Sequence, residues 1–307
     1  MAALIKQDCA PSIIVFYDIE SMQQSQDPNK ALHVPNLLIS STLCDKCFDY
    51  TTMKRSDDCE ICGTQYQKFY GETCIKNFCD YIYNDISSKA RAAGAGVRII
   101  AHNQKGYDGH FILRDFFVRE FQVVPEIIMQ GSKLLYIRMQ NLRFIDSLSL
   151  LQQPLSALCK SFNIPEMKKG FFPHYFNIPA NQDYDGPIPD IEYYGADEMK
   201  PAMRNDFITW YEKEKLLNKD FNFKKELEEY CLSDVNILTT AMMKFISQFR
   251  NITMLNPITR RFTLASVAME TFRARLLQPR TLNITPIKGY TSRLQSMSAS
   301  VWLDYQR

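Results

Sequence analysis

SIIVFYDIES, residues 12–21, runs five β-branched or aromatic residues together and then places Asp18 and Glu20 two positions apart. A short, continuous apolar run of this composition reads as a buried strand. On an extended backbone, alternate residues share a face, so both carboxylates project together from the end of the strand. Two acids so placed repel each other and resist desolvation unless a cation lies between them, and a divalent metal is the simplest remedy. The next apolar run, HVPNLLISSTLC (33–44), reads as the neighbouring strand or hairpin partner.

That second run leads into four cysteines. Cys44, Cys47, Cys59 and Cys62 form C-x2-C-x11-C-x2-C. Two-residue gaps let a tight turn aim both thiolates at one ion, and Gly63 gives the second turn its freedom. A structural Zn²⁺ fits this spacing better than disulfides, which are disfavoured in a chain that opens without a secretion signal. Cys74 and Cys79 stand just beyond as alternative ligands, while Cys9, Cys159 and Cys231 read as isolated small apolar residues.

Further along, helix and strand patterns interleave. FCDYIYNDISSKARAA (78–93) has helical periodicity, VRIIAHN (97–103) reads as a strand, and the turn QKGYDG introduces the helix HFILRDFFVREF. KLLYIRMQNLRFIDSLSLL (133–151) reads as a hairpin turning at Gln140 and Asn141. Residues 179–201 are rich in Pro, Gly and Asp and form a loop, after which long amphipathic helices cover 204–218, 224–249 and 263–277. The expected fold class is mixed α/β, with helices flanking a central mixed sheet and a small zinc-knuckle insertion at about 40–66.

Composition bounds the function. The chain has 307 residues, 46% hydrophobic and 23% charged, which excludes disordered, collagenous and coiled-coil classes. No apolar run approaches the roughly 20 residues of a membrane span, so the expectation is an intracellular protein of a reducing compartment, nuclear or cytoplasmic, with no membrane partner. Net charge is +2, but unevenly spread: residues 250–293 hold eight Arg or Lys against one acid, and residues 183–234 hold fourteen acids against seven bases. A basic segment of this kind is a candidate nucleic-acid surface.

Two more segments extend the acidic pair. In AHNQKGYDGHF (101–111), Asp108 opens a helix and Asn103 ends the strand before it, with Gly106 and Gly109 permitting the bend. In EYCLSDVNIL, Tyr230 and Asp234 are four apart and share a helical face. Asp18, Glu20, Asp108 and Asp234 supply four negative charges, enough to balance two divalent ions that activate a water and stabilise a leaving 3′ oxygen.

The order D-x-E, H-N-x-x-G-Y-D, Y-x-x-x-D resembles the three exonuclease motifs of family B DNA polymerases. YDIES, AHNQKGYDGHFILRDF, RFIDSLSLLQQPLSALCKSF and KGFFPHYFN resemble the protein-primed branch of phages, adenoviruses, linear plasmids and Maverick/Polinton transposons. The cysteine knuckles are most similar to the animal Polinton type. The resemblance, over about residues 10–305, implies an RNase H-like 3′–5′ exonuclease that takes the 3′ end of single-stranded or primer-template DNA. It implies Asp18, Glu20, Asp108 and Asp234 as ligands of two Mg²⁺ or Mn²⁺ ions, and Tyr230 as the residue orienting the attacking water. Asn103 matches the residue that holds the terminal nucleotide, and Lys169 the one that steadies the scissile phosphate; Tyr107 and Phe111 are candidates for base stacking, and Ser156 with Leu155 for the strand-contacting wall. In the full-length family a terminal protein serves as primer.

Palm and fingers motifs such as S-L-Y-P and D-T-D do not occur in these residues. The expected organisation is therefore an exonuclease domain at 1–245 and, at 246–307, a helical connection with the start of a polymerase module. The competing expectation is an inactive transposon-derived relic that binds DNA through its zinc-stabilised fold.

Overall fold

The computed structural model describes residues 12–27, 30–56, 58–119, 124–165, 171–217, 220–259, 261–278 and 281. β1 (Ser12–Asp27) and β2 (Lys30–Cys44) form a long antiparallel pair, followed by the small hairpin β3 (Phe48–Asp49) and β4 (Lys54–Arg55) within the cysteine insertion. The chain returns along β2 as β5 (Tyr66–Tyr70) and enters α1 (Cys74–Asp80), a π-helical turn at Tyr81–Ile86, and α2 (Ser87–Ala92). β6 (Gly96–Ala101), α3 (Asp108–Val118), β7 (Glu126–Gln130), β8 (Lys133–Met139) and β9 (Leu142–Asp146) complete the sheet. Then come α4 (Leu155–Ser161), β10 (Asp185–Gly186), α5 (Pro201–Leu216), β11 (Phe221–Asn222), α6 (Phe223–Thr253) and α7 (Leu264–Thr271).

The seven-stranded sheet has the order β5-β2-β1-β6-β9-β8-β7, with β1, β6 and β9 parallel and the other pairs antiparallel. Residues 12–17 are buried on both faces, which is why β1 begins as an unbroken apolar run and not as an alternation. α6 packs on β1 and β2, and α1 on β2, β5 and α3. The expected mixed α/β class, with helices on a central sheet and a cysteine insertion, is the observed one.

β5 and β7 are strands that the sequence reading passed over. β5 is an edge strand that alternates between exposed and half-buried residues, and β7 is five residues long with a single neighbour. The hairpin turn at Gln140 and Asn141 is as expected, with Gln140 at φ +54°. α6 runs unbroken past residue 245, its first turn capped by Asn222 Oδ1 accepting from the Lys225 backbone N–H at 3.1 Å. One compact unit extends to Val267 and a second begins at Ala268; of the second, residues 268–278 and 281 are described, as the end of α7 and a π-helical turn at Phe272–Leu276. Among the described residues no helix is long and apolar enough to cross a membrane.

Candidate active site and metal centre

The parallel core of the sheet lets loops gather at one end. β1 continues to Asp27, so Asp18 and Glu20 lie within the strand and not at its end as expected; two apart, they share one face while Ile19 turns into the core. A bulge follows at once: Glu20 pairs with Leu37 but Ser21 with Pro35, leaving Asn36 as the extra residue. Asn36 Nδ2 donates to Asn177 Oδ1 at 2.8 Å, and Asn177 in turn donates to the Ser21 carbonyl at 3.0 Å. Asn177, from the KGFFPHYFN block, thus clamps the strand where the acids emerge.

Asp108 is the first residue of α3 and only 4% exposed. Burial and the charge of Asp146 push its carboxyl up to about 7, against its own backbone N–H, which favours the ionised form. The turn before it is built closely. Asn103 adopts φ +65°, Tyr17 Oη donates to Gln104 Oε1 at 3.2 Å, and a Cβ on Gly109 would lie 2.8 Å from the Gln104 carbonyl oxygen. Asp146, fully buried at the end of β9, accepts from the backbone N–H groups of Asn103 (2.9 Å), Lys105 (3.2 Å) and Leu148 (2.8 Å). His102 Nδ1 lies 2.9 Å from Ser147 Oγ, and burial pushes its pKa down, which favours the neutral ring.

From the opposite side, α6 brings Tyr230 and, one turn on, Asp234, which is 8% exposed. The Tyr230 phenol is held well above its ordinary range by burial and by Asp234, Glu20 and Asp18. Its ring stacks on Phe172 at 5.1 Å and meets His174 edge-on at 5.3 Å. Tyr107 is likewise raised, first by burial and then by the charges of Asp108, Glu20 and Asp18. The charges of Asp18 and Glu20 thus reach both Tyr230, where Asp234 joins them, and Tyr107, where Asp108 does; at ligand distance from one another the structure groups Asp18 and Glu20 with Cys231, and Asp108 and Asp234 are not in that group.

Two members of this neighbourhood were not singled out from sequence. Cys231 is buried with its Sγ 3.7 Å from the Asp18 carbonyl oxygen, and the Asp18, Glu20 and Cys231 ligand atoms lie within 4.8 Å of one another. It lies three residues before Asp234 on α6, a spacing that shares a helical face, so the helical phase could have flagged it. Asp146 lay inside a quoted block, but two of its three backbone partners, Asn103 and Lys105, are more than forty residues upstream.

The remaining candidates divide. Asn103 is exposed at the turn; Tyr107 is half-buried, its hydroxyl 3.1 Å from His33 Nδ1; Phe111 is half-buried, edge-on to Tyr107 at 5.2 Å and packed on the core. Ser156 is exposed on α4, and Leu155 beside it packs on the core. Lys169 lies outside the described residues, as does Cys9.

At the far end of β2 the four predicted zinc cysteines converge. Sγ–Sγ distances are 3.7 Å for Cys44–Cys47, 3.6 Å for Cys44–Cys59 and 3.5 Å for Cys47–Cys62. A tetrahedron with Zn–S bonds of ~2.3 Å has edges of about 3.8 Å, whereas a disulfide would need about 2.05 Å. All four are free thiols, so the donor set fits a closed structural site. Arg55 donates to Cys62 Sγ at 3.5 Å and to the Gly63 carbonyl, tying β4 to the second knuckle. Cys74 and Cys79, offered as alternative ligands, are buried in α1 and lie outside the group of four whose sulfurs converge.

Residues 66–292 match the family described as DNA polymerase type B, organellar and viral. A probable DNA polymerase of Neurospora intermedia is 32% identical over 199 residues, covering 59% of this chain and 19% of that protein. One from Ascobolus immersus is 29% identical over 211 residues (64% and 17%), and the DNA polymerase of Kluyveromyces lactis is 23% identical over 282 residues (86% and 25%). The chain thus spans about a quarter or less of the length of these relatives. Among solved structures, the family B DNA polymerase of Pyrobaculum calidifontis aligns with 90% of this chain and 31% of its own at 13% identity and a TM-score of 0.38.

Proposed function

The chain belongs to the organellar and viral type B DNA polymerases, and from that premise we propose that these residues carry a 3′–5′ exonuclease removing terminal nucleotides from single-stranded DNA. The observation that supports this most is the close pair Asp18 and Glu20 on β1, whose charges act together with Asp234 on Tyr230 and together with Asp108 on Tyr107. A buried carboxyl pushed up to about 7 beside further acids is a site whose charge a cation would offset, so the donor set fits divalent metal.

Asp18, Glu20, Asp108 and Asp234 would hold two Mg²⁺ or Mn²⁺ ions, which supply an activated water and stabilisation of the leaving 3′ oxygen. Tyr230, kept neutral by burial and by the acids, donates or accepts a hydrogen bond that orients the water. Its ring is fixed by Phe172 and His174, so the hydroxyl is aimed by packing. Asn103, exposed at a left-handed backbone position, holds the terminal nucleotide, and Tyr107 flanks it. Lys169 keeps the role its motif implies, steadying the scissile phosphate. Cys44, Cys47, Cys59 and Cys62 hold one structural Zn²⁺ that locks the end of β2. The DNA partner is a free or frayed primer 3′ end; protein priming rests on the sequence resemblance alone.

The test is shortening of a 5′-labelled single strand by the purified chain with and without Mg²⁺. Stepwise loss of 3′ nucleotides is expected, reduced by about 100-fold or more in Asp18→Ala and Asp108→Ala. Activity that survives equally in both variants, or salt-dependent DNA binding with no shortening at all, overturns the assignment and leaves a DNA-binding module.

A further inference from the structure

β1 makes a wholly buried contact with the turn that leads to Asp108. Tyr17 alternates with Asp18 and so points to the opposite face of the sheet. There its ring meets Phe78 of α1 at 5.1 Å, and α1 packs on α3. Its hydroxyl donates to Gln104 Oε1 at 3.2 Å, and both side chains are fully buried. Burial pushes the Tyr17 phenol well up, and among the charges that add to this Asp108 comes first. Gln104 in turn underlies the first turn of α3: its carbonyl accepts from the Gly109 N–H at 2.9 Å, and a Cβ on Gly109 would lie 3.3 Å from its Cγ. One bond thus runs from the residue before Asp18 to the residue on which the Asp108 turn rests.

Stability does not call for this pair. A buried hydroxyl and amide give up water for a single bond, and among the described residues nothing accepts from Gln104 Nε2, which is buried. Apolar side chains of the same shape would serve the core as well or better. What the bond does is fix a position. Asp18 and Glu20 share the face on which Cys231 lies, whereas Asp108 opens a helix packed on α1, on the Tyr17 side, so its separation from the other two carboxylates follows where the turn sits. The outer side of the turn is tied down by Asp146 and by the Leu134 N–H, which donates to the Lys105 carbonyl at 2.9 Å. We propose that Gln104 is a positioning residue, gripped by Tyr17, that holds Asp108 in place relative to Asp18 and Glu20 for divalent-ion binding; this rests on the exonuclease reading above. Groups behind a metal ligand tune affinity by fixing where that ligand stands.

The test is Mn²⁺ binding to the full chain without DNA, read from the paramagnetic resonance of the free ion, beside the melting temperature. Asp108→Asn should weaken binding. Tyr17→Phe combined with Gln104→Met removes both polar groups at similar volume, and binding should weaken about tenfold or more with the melting temperature at or above that of wild type. Tyr17→Phe alone, the milder change, should shift binding in the same direction. In the Asp108→Asn background the paired substitutions should change binding no further, because their effect runs through Asp108. Shortening of a single strand by the double variant should need more Mg²⁺ for its half-maximal rate and recover at saturating Mg²⁺. Wild-type Mn²⁺ affinity in the double variant, or in Tyr17→Phe with a lowered melting temperature, makes the bond structural only and overturns the inference while the exonuclease stands. Weakening that persists undiminished in the Asp108→Asn background overturns it likewise. Mn²⁺ binding by the wild type that is indifferent to Asp108→Asn removes Asp108 from the metal site, and the exonuclease role given to that residue falls with the inference.

Discussion

Asp108 is held between two opposing influences, burial that disfavours its charge and a helix N-terminus that favours it, and burial wins. Its native pKa of about 7 lies above the ~3.9 of an unfolded aspartate. Below ~4 both states are protonated. Between there and about 7 the native state keeps a proton that the unfolded chain releases, so this contribution makes stability fall as pH rises and then level off. Without added divalent ions, the melting temperature should carry a decline of this kind from about pH 5 to about pH 8 that Asp108→Asn removes. Added Mg²⁺ should stabilise more at the upper pH, because it competes with that proton. An identical pH profile in Asp108→Asn would refute this. Asp18, Glu20, Asp108 and Asp234 were legible in the sequence because strand alternation and helix phase orient them locally. Asp146 was not, since one more acid at a strand end looks ordinary until its three backbone donors fold onto it.

At the scale of elements, β2 does two tasks, since its middle pairs with the acid-bearing β1 and its last residue, Cys44, is a thiol of the cysteine cluster. β3, β4 and the second knuckle then fill the gap before β5 returns along β2, so the ion would close this insertion onto the sheet. Chelation should therefore act on stability before chemistry. One Zn²⁺ per chain is expected by elemental analysis. Cys62→Ser should lose it, lower the melting temperature and open the segment between β2 and β5 to proteolysis, while the folded fraction retains nuclease activity. Zinc content well below one per chain in the wild-type protein would reject the site. The cysteine spacing announced this cluster without help from tertiary structure. β5 was missed because its pattern follows from being an edge, with one face half-covered, and an edge position is a property of the assembled sheet.

Across the whole molecule, the charge asymmetry visible in the sequence is only partly available to a ligand. Of the basic residues between 250 and 293, Arg250 is half-exposed but engaged within the fold: its Nη1 is 3.5 Å from Asp45 Oδ1 and its guanidinium lies 4.9 Å from the Tyr50 ring centroid. Arg273, in contrast, is exposed on the π-helical turn. A count of charges treats the two as equal, because it has no access to long-range pairing such as Arg250 with a residue 205 positions away. If the basic segment contacts single-stranded DNA, each phosphate neutralised contributes about 0.7 to the slope of log affinity against log salt. Arg273→Gln should accordingly flatten that slope by up to about 0.7 between roughly 50 and 200 mM salt, with no change in melting temperature. Arg250→Gln should do the reverse, lowering the melting temperature with the slope intact, because what it loses is an ion pair and a ring contact near the cysteine insertion. Binding isotherms that respond equally to both substitutions would mean that the segment acts through bulk charge alone.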